Sequence, residues 1–374
     1  MIYLDYSATT KPSDAVLDTF VKVSKEFVGN PNSLHKLGVE ANALIDSSTK
    51  QIQTLLHTED EIIYTSGSSE ANNLAILGIA MKYQNRGKHI ITTRLEHSSI
   101  YGPLSFLMKQ GFSVDFVPLD TNGMIDIEQL KQLMREDTIL VSISAVNSEI
   151  GLRQKVEEIG LFLKQYPKCF FHVDATQCIG KDKLSLENID LMSFSAHKFY
   201  GIKGIGALVK KRTIELEPLI HGGKSTTKYR SGTPAPALIA SFAKALRLAF
   251  ENIEDKYEAV NQYNAELCTF FKTFERVKIN HNAYCLPHML NISILGVKPE
   301  TFQHALENYD IYISTQSACA SGNSSSPSVL AFTEDTERAS SSIRISLSSF
   351  TTKEEIESFK KAFEVCYQNL TLKS

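Results

Sequence analysis

Residues 170–210 contain the stretch that decides the fold. It begins with the apolar run FFHVD (170–174), continues with IDLMSFSAHKFYG (189–201) and ends with GALV (206–209). Each run is short and mostly apolar, and small or polar residues interrupt or follow it. This pattern is typical of buried strands that end in turns. The stretch therefore predicts neighbouring strands in the interior of a sheet.

Further apolar runs alternate with helical patterns on the amino-terminal side of this stretch. The predicted strands cover residues 61–65, 89–93, 113–117 and 139–143, and the predicted helices cover residues 70–84, 98–110 and 127–135. Strands that alternate with helices favour a mainly parallel sheet covered on both faces. The sequence therefore predicts an α/β fold.

The pattern changes after Pro234 and Pro236. A long helical pattern over 237–275, broken near 252–255, precedes predicted strands at 289–295 and 343–347 and predicted helices at 299–308 and 353–369. We expect a large domain over residues 15–250. Residues 1–14 and 251–374 would form a smaller α+β domain.

Composition excludes several classes of protein. The chain has 374 residues, of which 43% are hydrophobic and 22% charged, and its net charge is −3. These values indicate an ordinary globular protein without the excess of basic residues that direct nucleic-acid binding requires. The start of the chain lacks the pattern of a signal peptide, and no apolar run is long enough to span a bilayer. We expect a cytoplasmic protein with no membrane partner.

The six cysteines indicate neither a structural zinc site nor a disulfide framework. None forms a C-x-x-C pair, and they are scattered along the chain. We therefore predict no resident metal, and we expect most of the cysteines to be buried as small apolar residues.

Lys198 and Asp174 suggest the chemistry. Lys198 lies among Ser, Ala, Phe, Tyr and Gly, an unusual setting for a surface lysine, and Asp174 ends the apolar run FFHVD. A lysine for a Schiff base and an acid for a pyridinium nitrogen are the protein groups that pyridoxal phosphate chemistry most needs. The pair predicts this cofactor.

The run TSGSSEANN (65–73) lies between a predicted strand and a predicted helix. Small hydroxyl residues and glycine at the start of a helix suit a phosphate. An ordinary serine cap with glycine in the turn would give the same pattern. Beside Lys198 and Asp174, the phosphate interpretation is favoured.

Three histidines and Asn147 follow or lie within predicted strands. His97 would stack on a cofactor ring or exchange protons, although a structural role would also account for it, and the same two interpretations apply to His197. His172 lies inside a strand, which favours a structural role. Asn147 would bind a cofactor oxygen or a substrate carboxylate, or would only form a turn.

Cys319 and Arg344 are further candidates. Cys319 lies in STQSACASG (314–322), where small polar neighbours favour an exposed thiol that would act as a nucleophile if its pKa were lowered. Arg344 alternates with Ile343 and Ile345, so it faces the other side of a strand. It would bind the carboxylate of an amino-acid substrate or, alternatively, lie solvated on an edge strand.

Taken together and in order, these motifs resemble those of the cysteine desulfurases, fold-type I pyridoxal phosphate enzymes close to the class V aminotransferases. The resemblance extends over nearly the whole chain. The matching runs are YLDYSATT (3–10), GNP (29–31), SGSSE (66–70), EH (96–97), NSEIG (147–151), HVDATQ (172–177), SFSAHKFYGIKGIG (193–206), HGG (221–223), RSGT (230–233), SAC (317–319) and SIR (342–344).

The resemblance implies a role for each candidate. Lys198 would hold the cofactor and move protons, Asp174 would pair with the ring nitrogen, Gln177 would bond the phenolic oxygen, and His97 would stack on the ring. The phosphate would be held by Ser68, Ser69, Ser195 and His197, with Thr233 from a second subunit. Arg344 and Asn147 would bind the substrate carboxylate. Cys319 would take sulfur from L-cysteine as a persulfide, with release of L-alanine.

The chain departs from the family pattern at several places. Tyr6-Ser7 replaces Asn-Ala, and Ser68-Ser69 replaces a small residue followed by Thr, which keeps the hydroxyl. The run KSTTKY (224–229) replaces a run with an arginine at position 227, and Gln316 replaces a glycine. The chain also ends at Ser374, before the longer tail of some members. These differences leave the sulfur acceptor open.

Two other functions compete with a desulfurase that supplies iron–sulfur cluster assembly or tRNA thiolation. One is a related lyase, such as a selenocysteine lyase, or a class V aminotransferase, in which Cys319 would be incidental. The other is a catalytically silent scaffold. The family resemblance also implies a homodimer, a sulfur-acceptor protein as partner, and a transient iron–sulfur contact at Cys319.

Overall fold

The computed structural model describes residues 1–315 and 325–371. The strands are β1 (Ile2–Tyr3), β2 (Glu61–Thr65), β3 (His89–Thr92), β4 (Ser113–Phe116), β5 (Thr138–Ser144), β6 (Phe170–Asp174), β7 (Leu191–Ser195), β8 (Gly206–Lys210), β9 (Val277–Ile279), β10 (Met289–Ile294), β11 (Ile311–Tyr312) and β12 (Ser342–Ser346). The helices are α1 (Asp14–Glu26), α2 (Lys36–Leu55), α3 (Ser68–Tyr83), α4 (Ser98–Lys109), α5 (Ile127–Leu133), α6 (Val156–Leu163), α7 (Pro236–Phe250), α8 (Ile253–Phe271), α9 (Pro299–Glu307), α10 (Pro327–Thr333), α11 (Thr336–Ser340) and α12 (Lys353–Thr371).

The largest sheet has seven strands in the order β2-β8-β7-β6-β5-β3-β4. Neighbours from β4 to β7 run parallel, whereas β8 is antiparallel to both β7 and β2. Strands β5, β6, β7 and β8 are buried almost throughout, as expected for strands covered on both faces. The predicted α/β fold with a mainly parallel sheet is confirmed.

This topology gathers chain turns at one edge of the sheet. Strand β8 is antiparallel to both β2 and β7, so β2 runs parallel to β7. The carboxyl end of β2 therefore lies at the same edge of the sheet as those of β3, β5, β6 and β7. Ligands of open α/β sheets bind at that edge. The turns that follow these strands are therefore the place to look for a site.

A second core lies around two smaller sheets. Strands β12, β10 and β9 form an antiparallel sheet, and β1 pairs in parallel with β11. Helices α8, α9 and α12 contribute apolar side chains to a cluster that also includes Leu4. The amino-terminal segment therefore packs with the carboxyl-terminal third of the chain. The predicted domain boundaries at residues 14 and 250 stay a prediction.

Several element boundaries differ from the predicted ones. Helix α3 begins at Ser68 and not at residue 70, because the first turn includes both serines. The predicted break in the helical pattern over 237–275, in contrast, is confirmed: α7 and α8 are separated at Asn252, which has a left-handed φ of 53°. Helices α1, α2 and α6 had no counterpart in the sequence prediction. Among the described residues, no helix is both long and apolar enough to cross a bilayer.

Candidate active site

A cavity of about 290 Å³ lies at the carboxyl edge of the seven-stranded sheet. Its volume is near the lower end of the range for small-molecule sites. Residues at or after the carboxyl ends of all five of these strands reach it, together with the amino-terminal segment and β12. The lining residues are Ser7, Ala8, Ser68, Ser69, Leu95, His97, Ser144, Val146, Ser148, Asp174, Thr176, Gln177, His197, Lys198 and Arg344.

Lys198 ends a short 3-10 turn that directly follows β7. Its Nζ donates hydrogen bonds to the backbone oxygens of Ser7 (2.6 Å) and Ala8 (2.8 Å). The amino-terminal segment thus crosses the floor of the cavity and supplies acceptors for the lysine. Lys198 therefore lines the cavity with its amine held by main-chain acceptors.

Asp174 ends β6 and is 6% exposed. Its carboxylate accepts hydrogen bonds from Asn72 Nδ2 (2.8 Å) and from the backbone N–H of Thr176 (2.9 Å). Two donors on one carboxylate fix its orientation. An acid held in this way suits a protonated ring nitrogen.

Gln177 lies in the turn after β6, with its side chain held at both ends. Its Nε2 donates to Ser7 O (2.9 Å), and its Oε1 accepts from Lys181 Nζ (2.6 Å). Lys181 is fully buried, and this burial lowers the pKa of its ammonium to about 7. The hydrogen bond from Lys181 fixes which end of the Gln177 amide is the donor.

Both candidate histidines line the cavity. His97 caps the start of α4, and burial lowers the pKa of its imidazole. His197 Nδ1 lies 3.1 Å from Thr9 Oγ1, and burial together with the nearby Lys198 lowers the pKa of His197 to about 4. Both rings are therefore neutral near pH 7. His172, in contrast, lies inside β6 between Ser142 and Ser193, as expected for a structural residue.

The start of α3 forms one end of the cavity. Ser68 and Ser69 occupy the first turn of this 16-residue helix, where backbone N–H groups and the helix dipole favour an anion. Ser195 is buried and does not line the cavity, but its Oγ lies 3.5 Å from the position of a Cβ added to Gly67, in the turn before α3. This end of the cavity has the donors that a phosphate requires.

Arg344 is 1% exposed, which excludes the solvated alternative. Its guanidinium donates to Ser148 O and to the Asp5 carboxylate, both at 2.8 Å. Its Nε has no hydrogen-bond partner among the described residues. An arginine with an unused donor at the cavity wall suits a carboxylate ligand.

Asn147 and Thr233 do not reach the cavity of their own chain. The Asn147 amide bonds Leu95 O and Ser328 Oγ, and its Oδ1 accepts from two backbone N–H groups in the turn. Thr233 is exposed and lines a different cavity with Arg230. Cys319 lies outside the described residues.

The sequence interpretation missed Asn72, Thr176 and Lys181. Asn72 lies four residues after Ser68 and so shares its helix face, a spacing that could have identified it. Thr176 lines the cavity, and its buried hydroxyl has no partner among the described residues. Lys181 follows the buried run Cys178-Ile179-Gly180, an unusual context for a solvated lysine.

These residues fit pyridoxal phosphate. The cavity brings together the anion donors at the start of α3, the Lys198 amine and the oriented Asp174 carboxylate. The unpartnered hydroxyl of Thr176 and the unused Nε of Arg344 are polar groups that a bound ligand would satisfy. The same donor set would not suit a metal, and no cluster of metal-ligand residues is present in the part of the chain that the structure describes.

Comparisons with known proteins agree with this geometry. The family model "Aminotransferase class-V" matches residues 2–359. A NifS/IcsS protein homolog of Lactobacillus delbrueckii subsp. bulgaricus is 41% identical, with 99% of this chain and 98% of the relative covered. Cysteine desulfurase IscS of Dictyoglomus turgidum is 37% identical, with 95% and 91% covered.

A solved structure described as a NifS-like protein superposes with a TM-score of 0.93 at 34% identity. The match covers 99% of this chain and 100% of that chain. The fold, the arrangement of the cavity and the sequence relatives therefore agree, and the predicted family resemblance is confirmed. The chain belongs to the class-V aminotransferase family.

Proposed function

We propose that the chain is a pyridoxal phosphate-dependent cysteine desulfurase. It would take sulfur from L-cysteine, release L-alanine and carry the sulfur on Cys319. The observation that carries this proposal is the meeting of Lys198, Asp174 and an anion-binding helix start in one cavity. Relatives named as cysteine desulfurases, similar over nearly the whole chain, support the choice of reaction.

Different residues of the cavity would hold different parts of the cofactor. When bound, pyridoxal phosphate supplies an electron-withdrawing ring that weakens the carbon–sulfur bond of the substrate. Lys198 would hold it covalently, Asp174 would pair with its ring nitrogen, Gln177 would bond its phenolic oxygen and His97 would lie against the ring. The phosphate would be bound by Ser68, Ser69, Ser195, His197 and the second subunit's copy of the Thr233 hydroxyl.

Arg344 would bind the substrate carboxylate. Its guanidinium is already oriented by Asp5 and by Ser148 O, so little side-chain freedom is lost when a second carboxylate binds. Asn147 supports this arrangement, because its amide shapes the turn that presents Ser148. Asn147 is still proposed to contact the cofactor and the substrate. For this contact, its amide would have to give up one of its present hydrogen bonds.

Lys198 would move protons at Nζ once substrate is bound. The two backbone oxygens that accept from Nζ orient the amine within the cavity. Both histidines are neutral near pH 7, which avoids additional positive charge around the lysine.

Sulfur transfer would take place at Cys319. Its thiolate would form a sulfur–sulfur bond with the substrate sulfur as the carbon–sulfur bond breaks, and the carbon skeleton would leave as alanine after protonation. The resulting persulfide would pass to a partner protein for iron–sulfur cluster assembly or tRNA thiolation, with Cys319 as a transient ligand in the former case.

Replacement of Cys319 tests the function. The full chain with cofactor is incubated with L-cysteine, alanine is quantified, and intact-protein mass spectrometry looks for one added sulfur atom on the peptide that contains Cys319. We expect the parent chain to give both products, and Cys319→Ser to give no persulfide and to lose cysteine-dependent alanine release.

Cys268→Ser is the matched control, because Cys268 is a half-buried thiol on α8, outside the cavity. It should behave like the parent. Persistent turnover in Cys319→Ser, or a cofactor-loaded parent that transaminates without releasing sulfur, would favour an aminotransferase. A parent chain that fails to bind the cofactor at all would favour a silent scaffold.

We also propose a homodimer in the cytoplasm. Large apolar side chains are exposed on α1, α2 and the connection between them, namely Leu17, Val21, Val28, Leu34, Leu37 and Val39. Exposed apolar side chains concentrated in one region are typical of an interface. None of the described cysteines forms a disulfide, which is expected in a reducing compartment.

A further inference from the structure

The side chain of Asn72 links two parts of the site. Asn72 lies on α3 and is 0% exposed. Its Nδ2 donates one hydrogen bond to Asp174 Oδ2 and another to Ser99 Oγ, each 2.8 Å long. If the amide were flipped, its oxygen would lie against the Asp174 carboxylate, so the assignment of the two donors is fixed. Both amide hydrogens are therefore engaged.

The second of these hydrogen bonds occupies one acceptor site of the Ser99 hydroxyl. Because Ser99 Oγ accepts from Asn72, its own hydrogen is available for His97 Nδ1, which lies 2.8 Å away. The backbone N–H of Ser99 also donates to His97 Nδ1, at 3.2 Å. A ring nitrogen that accepts from two donors cannot carry a proton. The proton of neutral His97 must then lie on Nε2.

We infer that Asn72 is a positioning residue of this site, which orients the Asp174 carboxylate directly and selects the Nε2–H tautomer of His97 through Ser99. The inference rests on the proposed function for its catalytic consequence. With Nδ1 occupied by two donors, His97 acts beside the cofactor as a neutral ring and a hydrogen-bond donor, not as a base at Nδ1. The lowered pKa of His97 is consistent with this assignment.

The tautomer is measurable without any turnover. The full chain, labelled with ¹⁵N-histidine, is studied by two-dimensional ¹H–¹⁵N NMR with and without the cofactor, and the His97 signals are assigned from their loss in His97→Gln. We expect the parent to show a protonated Nε2 and an unprotonated Nδ1. Ser99→Ala and Asn72→Ala should each shift the nitrogen resonances toward a mixture of the two tautomers.

Two further variants separate positioning from general structural damage. Ser99→Thr keeps the hydroxyl and should restore the parental tautomer. Asn73→Ala removes the neighbouring amide, which bonds Ser69 O instead, and should leave the His97 tautomer unchanged. A parent whose His97 carries its proton on Nδ1 would overturn the inference, and so would a tautomer unchanged in both Ser99→Ala and Asn72→Ala.

The hydrogen bond from Asn72 to Asp174 is tested by a separate measurement. Asn72→Asp keeps the size of the side chain but cannot donate to a carboxylate, so we expect cofactor affinity, measured by equilibrium dialysis, to fall about tenfold. Ser99→Ala keeps the bond between Asn72 and Asp174 and should change this affinity much less. Equal affinity in Asn72→Asp and the parent would overturn this part of the inference.

The two proposals fail in different ways. If the parent binds the cofactor but forms no persulfide from L-cysteine, the proposed function fails while the tautomer result stands. If persulfide and alanine form normally but the His97 tautomer is insensitive to Ser99 and Asn72, the function stands and the positioning role fails.

Discussion

His172 and His288 are fully buried imidazoles whose charging is disfavoured in the folded chain. Burial lowers the pKa of His172 to about 4 and that of His288 to about 3. In the unfolded chain an imidazole titrates near pH 6.5, so the unfolded state takes up protons first as the pH falls. The free energy of unfolding should therefore decrease from pH 6.5 to about pH 4, by about 2 kcal/mol per histidine at pH 5.

His288→Gln should remove one part of this pH dependence. Its Nδ1 has no partner among the described residues, so the change loses no hydrogen bond at that atom. Urea unfolding at pH 7 and pH 5, at fixed protein concentration, measures the difference. We expect the free energy of unfolding to differ less between pH 7 and pH 5 in His288→Gln than in the parent. In His304→Gln, whose ring is exposed, this difference should equal that of the parent. An equal pH dependence in all three proteins would contradict this expectation.

Single residues show how far the sequence determines the site. Lys198 and Asp174 could be predicted from local sequence, because Asp174 ends an apolar strand and Lys198 closely follows another, whereas Gln177 was predicted from the family resemblance. The acceptors of Lys198 could not, because Ser7 and Ala8 use backbone oxygens that no residue type encodes. Asn147 was also predicted because it follows a strand, but its amide oxygen accepts hydrogen bonds from two backbone N–H groups of the turn in which it lies.

At the scale of elements, the site depends on how closely β8 approaches the turn before α3. Gly206 pairs with both Thr65 and Ser195 at the ends of their strands. A Cβ added at Gly206 would lie 2.7 Å from Phe194 O and 2.8 Å from Gly67 Cα. Gly206→Ala should push the first turn of α3 outward, with a cost of about 1–3 kcal/mol and weaker cofactor binding.

Equilibrium dialysis with pyridoxal phosphate and thermal unfolding measure the two effects of Gly206→Ala. We expect cofactor affinity to fall by about tenfold or more, because the phosphate donors on α3 move. Gly102→Ala on α4 is the control: nothing lies within 4 Å of its added Cβ, so a mid-helix alanine should be neutral or stabilising. Unchanged cofactor affinity in Gly206→Ala would show that β8 and the turn before α3 can move apart without displacing the phosphate donors.

Elements of the sheet were easier to predict than the helices that cover it. Buried strands are continuous apolar runs, and all strands predicted between residues 61 and 210 lie within two residues of the observed bounds. Helices α1 and α2 were missed although each has an apolar face, and both pack on α7. Helix α7 lies about 200 residues further along the chain, and a local sequence pattern does not indicate which distant segment a helix packs against.

The whole molecule is expected to be complete only as a dimer. Leu34 is 97% exposed between α1 and α2, and Thr233 lies away from the cavity of its own chain. Leu34→Glu would place a charge in the proposed interface and should raise the dimer dissociation constant at least about tenfold. Sedimentation velocity over a range of protein concentrations measures this.

Leu161→Glu provides the comparison, because Leu161 is 59% exposed on α6, away from the proposed interface. It should sediment like the parent. A parent that is monomeric at micromolar concentration, or a dimer unaffected by Leu34→Glu, would reject the proposed interface. In the first case, the contribution of the second subunit's Thr233 hydroxyl would be lost as well.

The pairing of β1 with β11 determines when the site can be assembled during synthesis. Residues 2–3 leave the ribosome about 300 residues before their partners, residues 311–312. Until that distant strand and the following β12 emerge, the amino-terminal segment lacks its strand partner and the cavity lacks Arg344. A nascent chain would therefore expose an incomplete vitamin-binding pocket for most of its translation, and capture of the vitamin would be among the last steps of its maturation.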